Sequence, residues 1–140
     1  MTTTFPQNLI DLTDGDNSVS VRALGPHPTE PGCFDAEIVV RTSFVTGRLW
    51  LFLSPRRLAE WRTTLDALAA GHDTTWMEPD SGPSFGIRLW GERECPEVVI
   101  EDESLSMVTV TVPIGLEADW LDEQRRLLQA FTETHGTGHG

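Results

Sequence analysis

The sequence predicts an α+β fold: about eight mostly antiparallel strands, in one curved sheet or two packed sheets, with two amphipathic helices in a β4-α-β4-α order. Three observations predict it. Short segments alternate apolar and polar residues with period two, two longer segments repeat at spacings of three and four, and the strands come in runs broken by single helices. Parallel pairing would need a crossover between every pair of strands, so the runs imply antiparallel sheets. The order of elements repeats without a repeat of residues.

Val19, Val21 and Ala23 alternate with Ser18, Ser20 and Arg22 as in a half-buried strand, and Leu9, Ile10 and Leu12 form a weaker strand before it. Asp14-Gly15 and Asp16-Asn17 supply the turn between them. Phe34, Ala36, Ile38 and Val40 make a third strand. Leu49, Leu51 and Leu53 interleave with Trp50 and Phe52, so the fourth is apolar on both faces. Ser54-Pro55 then starts a helix: the hydroxyl caps orphan amides, and proline loses no bond at the first position. Leu58, Trp61, Leu65 and Leu68 give that helix one apolar face, and Gly71 stops it.

Four further strands are expected at His72 to Glu78, Phe85 to Trp90, Glu97 to Asp102 and Met107 to Val112. A final helix should begin near Leu116, with Trp120, Leu127 and Phe131 on one stripe and acids preceding Arg125 and Arg126 in the order the dipole favours. The length of 140 residues suits one domain, expected over residues 1–134 with a glycine-rich flexible tail at 135–140. A 39% apolar and 23% charged composition places the chain outside the range that stays disordered.

The formal charge is -12, from 22 acids against ten arginines and no lysine. Such a field disfavours nucleic acid and anionic membranes as partners and attracts a basic protein. The charge is regional: ten acids and one base lie between Glu92 and Glu123. Glu92, Glu94, Glu97, Glu101, Asp102 and Glu103 are therefore the expected partner-binding residues, with the solvated-face reading beside them. The longest wholly apolar run, Leu49 to Leu53, is far below the ~20 residues of a spanning helix, and the N-terminus lacks a basic stretch followed by an apolar one. A cytoplasmic protein is expected.

No catalytic constellation is recognisable. The four histidines share no spacing with a nucleophile, and His72-Asp73 reads as a loop pair. Cys33 and Cys95 read as free structural thiols, the second beside Glu94, which would blunt its reactivity. Neither metal nor cofactor is expected: His135 and His139 are separated by two glycines and a threonine, the acids from Asp11 to Asp16 lack a calcium-loop pattern, and no phosphate-binding glycine loop is present. Trp61 and Trp120 fall on core faces, whereas Trp50, Trp76 and Trp90 are candidates to line a pocket for an apolar ligand, the alternative reading of a small biosynthetic enzyme or carrier.

The stretch FDAEIVVRTSFVTGRLWLFLSPRRLAEWRTTLDALAAG, the short strands after it and the closing DWLDEQRRLLQAF resemble an uncharacterised family of small actinobacterial proteins. The pattern is a strand, Phe44-x-x-Gly47, a strand, a capped helix with Leu58 and Trp61, strands and a last amphipathic helix, over about residues 8 to 131. It is also distantly similar to immunity proteins of the WapI type. That likeness implies a toxin-neutralising binder and carries over no active residues. The expected function is a non-catalytic binder of a basic partner, with an immunity-like inhibitor as its most concrete form.

Overall fold

The computed structural model describes residues 5–77, 83–91, 94–102 and 106–135. The first sheet is a meander of β1 (Gln7–Thr13), β2 (Ser18–Pro26), β3 (Phe34–Arg41) and β4 (Thr46–Leu53), paired antiparallel in that order. After α1 (Pro55–Ala69) comes a second meander of β5 (Thr74–Trp76), β6 (Ser84–Arg88), β7 (Glu97–Glu101) and β8 (Thr109–Pro113), and α2 (Trp120–His135) closes the chain. The class and the order are those predicted, and the strands form two sheets rather than one curved sheet.

Local chemistry sets the boundaries. Asp14 Oδ1 accepts from the amides of Asp16 (2.9 Å) and Asn17 (2.8 Å), while Gly15 takes φ +95°, so the turn between β1 and β2 is built from its own residues. Ser54 Oγ accepts from Arg57 N at 3.2 Å as the cap of α1, and Gly71 leaves that helix with φ +90°.

Alternate residues of both sheets turn inward, Val19, Val21, Ala36, Ile38 and Leu51 from the first and Phe85, Ile87, Val98, Ile100 and Val112 from the second, into one continuous core. The sheets meet crosswise. At one end of β8, Val108 and Val110 share a cleft with Val45 and Gly47 of the β3–β4 hairpin. At its other end, Pro113 O accepts from Asn17 Nδ2 (2.8 Å) and Gly115 N donates to Asp14 Oδ2 (3.0 Å) in the β1–β2 turn. Strand β8 therefore spans the hairpin end of the first sheet.

The helices fill what the sheets leave. Trp61 of α1 is fully buried with its ring centroid 5.1 Å from Trp76 and 6.1 Å from Phe85, a cluster that welds α1 to the second sheet. Phe131 of α2 meets Phe34 of the first sheet at 5.1 Å. Gln124, 1% exposed, uses its amide as an extra strand residue: Oε1 accepts from Asp11 N and Nε2 donates to Asp11 O, each at 2.9 Å. That contact closes the outer edge of β1.

Some boundaries differ from expectation. The last helix starts at Trp120 rather than Leu116, because Ile114 is drawn into the core in extended form and Gly115 is tied to Asp14. Strand β8 begins at Thr109 because Met107 sits at φ +61°, and β6 ends at Arg88, leaving Trp90 outside the ladder. Leucine at position 124 should leave both Asp11 main-chain groups unpaired, so Gln124→Leu is expected to cost about 1–3 kcal/mol in urea unfolding. His135 packs on Phe5, Phe34 and Phe131, with Nε2 2.8 Å from Gln7 Oε1, and its burial pushes the imidazole below its ordinary value. The unfolded chain then takes up the proton first, so stability falls as pH drops through about 6.5 toward the lower folded value. His135→Phe should flatten that decline in urea midpoints compared between about pH 7.5 and about pH 5.5.

Candidate functional site

Among the described residues, nothing pairs with the outer edges of β4 and β8 beyond the ends of each strand, and residues of both strands line the same cleft. Arg57 Nη1 donates to Phe52 O at 3.1 Å, which shows that this carbonyl points away from β3. By the two-residue period of a strand, the main-chain groups of Trp50, Arg48 and Thr46 point the same way. On β8 the Asp102 amide bonds Val108 O at 3.0 Å, so Val108 faces β7 and the groups of Thr109 and Thr111 face outward. Beyond them Pro113 has no N–H to offer, and its carbonyl is taken by Asn17.

Between these edges lies a cleft of about 150 Å³, lined by Ile38, Val40, Leu49, Ile100, Val108 and Val110, with Asp102 and Ser106 at one side. Val108 in its wall is 54% exposed, and two neighbours in sequence of wall residues are more so, Phe44 beside Val45 at 93% and Met107 beside Val108 at 70%. Met107 is a non-glycine residue in left-handed backbone, held there by its amide bond to Asp102 O (2.8 Å). The Asp102 carboxylate stabilises the same turn, accepting from Ser106 N (3.1 Å) and Ser106 Oγ (2.7 Å). Exposed apolar side chains grouped around a cleft mark a contact surface more strongly than single ones.

The expected acidic residues do not form one face. Glu97 is 3% exposed, pairs with Arg88 at 3.5 Å, and packs on Gly91 where any Cβ would collide with it. Asp102 is buried in the turn just described, Glu101 is half-buried, and Glu94 alone of the described four is exposed, at φ +58°. Glu92 and Glu103 lie outside the described residues. Glu101 instead borders a polar cleft of about 230 Å³ on the outer face of the second sheet, with Asp73, Thr75, Ser84 and Arg88. A further group of exposed acids lies at the far end of β8: Glu117 and Asp119 follow Gly115, which is bonded to Asp14. The Asn17 amide, then that of Gly115, holds the Asp14 carboxyl below its ordinary range.

The three candidate tryptophans are not brought together. Trp76 is buried with Trp61 and Phe85, its Nε1 donating to Arg57 O at 2.9 Å, whereas Trp50 is 59% and Trp90 71% exposed. Neither cleft has a tryptophan in its wall. Of the His72-Asp73 pair, Asp73 Oδ1 accepts from Leu89 N at 2.8 Å, which ties the loop after α1 to the end of β6. Among the described residues no group of three or more histidines, cysteines or acids is placed to hold a metal ion. Cys33 and Cys95 are free and half-buried, and desolvation, then Glu30, pushes the Cys33 thiol up. No helix among the described residues is long and apolar enough to cross a membrane. Sequence reasoning missed the exposure of Phe44 and Met107; a bulky apolar residue inside a turn was the available signal for Phe44.

Residues 7–136 match the model of a Family of unknown function (DUF5959). Comparison with curated proteins finds no match.

Buried Glu97 and exposed Glu94 should respond differently to charge reversal. Glu97→Lys is expected to cost about 3 kcal/mol or more, by placing a cation against Arg88 and Gly91, and Glu94→Lys no more than about 0.5 kcal/mol, both read by chemical denaturation.

Proposed function

The chain belongs to this family of unknown function, and we propose that it is a non-catalytic, cytoplasmic protein-binding module that docks a basic partner along β8. An immunity-like inhibitor is the most concrete form of that reading. The observation that carries it is the exposed Val108 in the wall of the apolar cleft, with exposed Phe44 and Met107 each next in sequence to a wall residue, Val45 and Val108. Large apolar side chains at a depression are the usual anchors of an interface. The acids at the other end of the strand, Glu117, Asp119 and the Asp14–Asp16 turn, supply the field that draws a basic surface, within a chain of net charge -12.

The small-molecule carrier is less well supported. A site for a ligand of ordinary size needs roughly 300 Å³ or more. The apolar cleft offers about 150 Å³, the interior is filled by Trp61, Trp76, Phe85 and Phe131, and the depression of about 310 Å³ between α1 and α2 is walled largely by charged and polar side chains, Arg62, Asp66, Arg125 and Gln129, with no tryptophan.

The test is affinity capture from a lysate of the source cells with the wild type and with Phe44→Ser/Met107→Ser. The wild type should retain one basic protein, with recovery falling as salt rises; the double variant should recover at least about tenfold less at unchanged circular dichroism. Equal recovery by both proteins, or recovery indifferent to salt, overturns the reading.

A further inference from the structure

The two edges of the first sheet are finished differently. At β1, a bulge between Asn8 and Ile10 distorts the strand and the Gln124 amide occupies both main-chain groups of Asp11. Along β4 the ladder to β3 runs unbroken through eight pairs, from Arg41 and Thr46 to Phe34 and Leu53. Neither a proline nor a bulge interrupts it, and among the described residues no side chain caps the outward groups of Thr46, Arg48 and Trp50. Those are the devices that usually protect an edge from pairing. The side chains flanking these groups are Trp50 and Arg48, the latter 69% exposed.

Charge identifies what fits there. Strand β4 itself carries one arginine, Arg48, and no acid, in a chain of net charge -12. Glu37 is the acid nearest Arg48, and it is already paired with Arg22 at 2.8 Å against 3.8 Å to Arg48. One strand in, on the same outer face, Arg41 is in register with Thr46 and Glu37 with Trp50, so the base on the edge strand itself is Arg48. A segment laid along β4 would therefore set alternate side chains beside Thr46, Arg48 and Trp50, and the others beside Leu49 over the apolar cleft.

We propose that the outer edge of β4 accepts an extended segment of a partner as a fifth strand of the first sheet, with acidic residues on the Arg48 side and apolar residues on the Leu49 side. Main-chain bonds supply affinity in such strand addition, and the alternate side chains supply selectivity. A second copy of this chain fits less well, since its β4 would bring a second Arg48 and no acid. The proposal goes beyond the docking of a basic partner: it concerns main-chain groups, opposite charge and neither Phe44 nor Met107.

The test uses isotope-labelled protein and a synthetic blocked peptide of about nine residues alternating valine and glutamate, with a valine–lysine peptide as control. The glutamate peptide should slow hydrogen exchange at the Thr46, Arg48 and Trp50 amides by at least about tenfold, leave Gly47 and Leu49 unchanged and move the Trp50 indole resonance; the lysine peptide should do none of this. Arg48→Pro removes an outward donor without touching the β3 ladder, and should abolish the protection. Should that variant fail to fold, Arg48→Glu serves instead, and should transfer the preference to the lysine peptide. Equal response to both peptides, protection elsewhere, or no response at millimolar peptide overturns the proposal. A concentration-dependent dimer that protects the same amides overturns it in favour of a second copy.

Discussion

Neither sheet can bury its apolar face alone, and that constraint organises everything else. Each four-stranded meander has one apolar side, and the two share a single core. Because β8 crosses the hairpin end of the first sheet, the faces cover each other only in part. The helices supply the remainder, through the Trp61, Trp76 and Phe85 cluster on one side and Phe131 against Phe34 on the other. Aromatic pairs of this kind each contribute about 0.5–1.5 kcal/mol beyond the area they bury.

The same arrangement decides which edges are closed. Helix α2 lies against β1, where Gln124 satisfies the backbone, and α1 lies against β5. Among the described residues no helix covers the edges of β4 and β8, whose outward groups lie at Thr46, Arg48, Trp50, Thr109 and Thr111 on the strands that line the apolar cleft. Open edges next to exposed apolar side chains are costly to keep in solution. Their presence together is the physical reason for reading that side of the molecule as a surface of contact.

Charge and contact separate along the chain in a way that composition conceals. A net charge of -12 suggests a uniformly acidic body, yet residues 41–57 are purely basic. Within the acidic stretch, Glu97 and Asp102 are held inside by Arg88 and by the turn at Ser106. A buried carboxylate with partners acts on stability far more than on steering, so counting acids by position in sequence overstates the docking surface.

The sequence by itself determined the class and the element order, because hydrophobic period is a local property: Val19, Val21 and Ala23 turn inward wherever the strand lies. It also determined the cap at Ser54, the stop at Gly71 and the burial of Trp61, each set by neighbours within a few residues. Only the tertiary structure decided that the strands divide into two crossed sheets, that Gln124 closes the edge of β1, and that Trp76 is buried while Trp50 and Trp90 are exposed. It also moved the start of the last helix from Leu116 to Trp120. Those outcomes depend on contacts between residues about a hundred positions apart, such as Asp14 with Gly115 and Asp11 with Gln124, and periodicity within one segment carries no information about which distant edge will meet it.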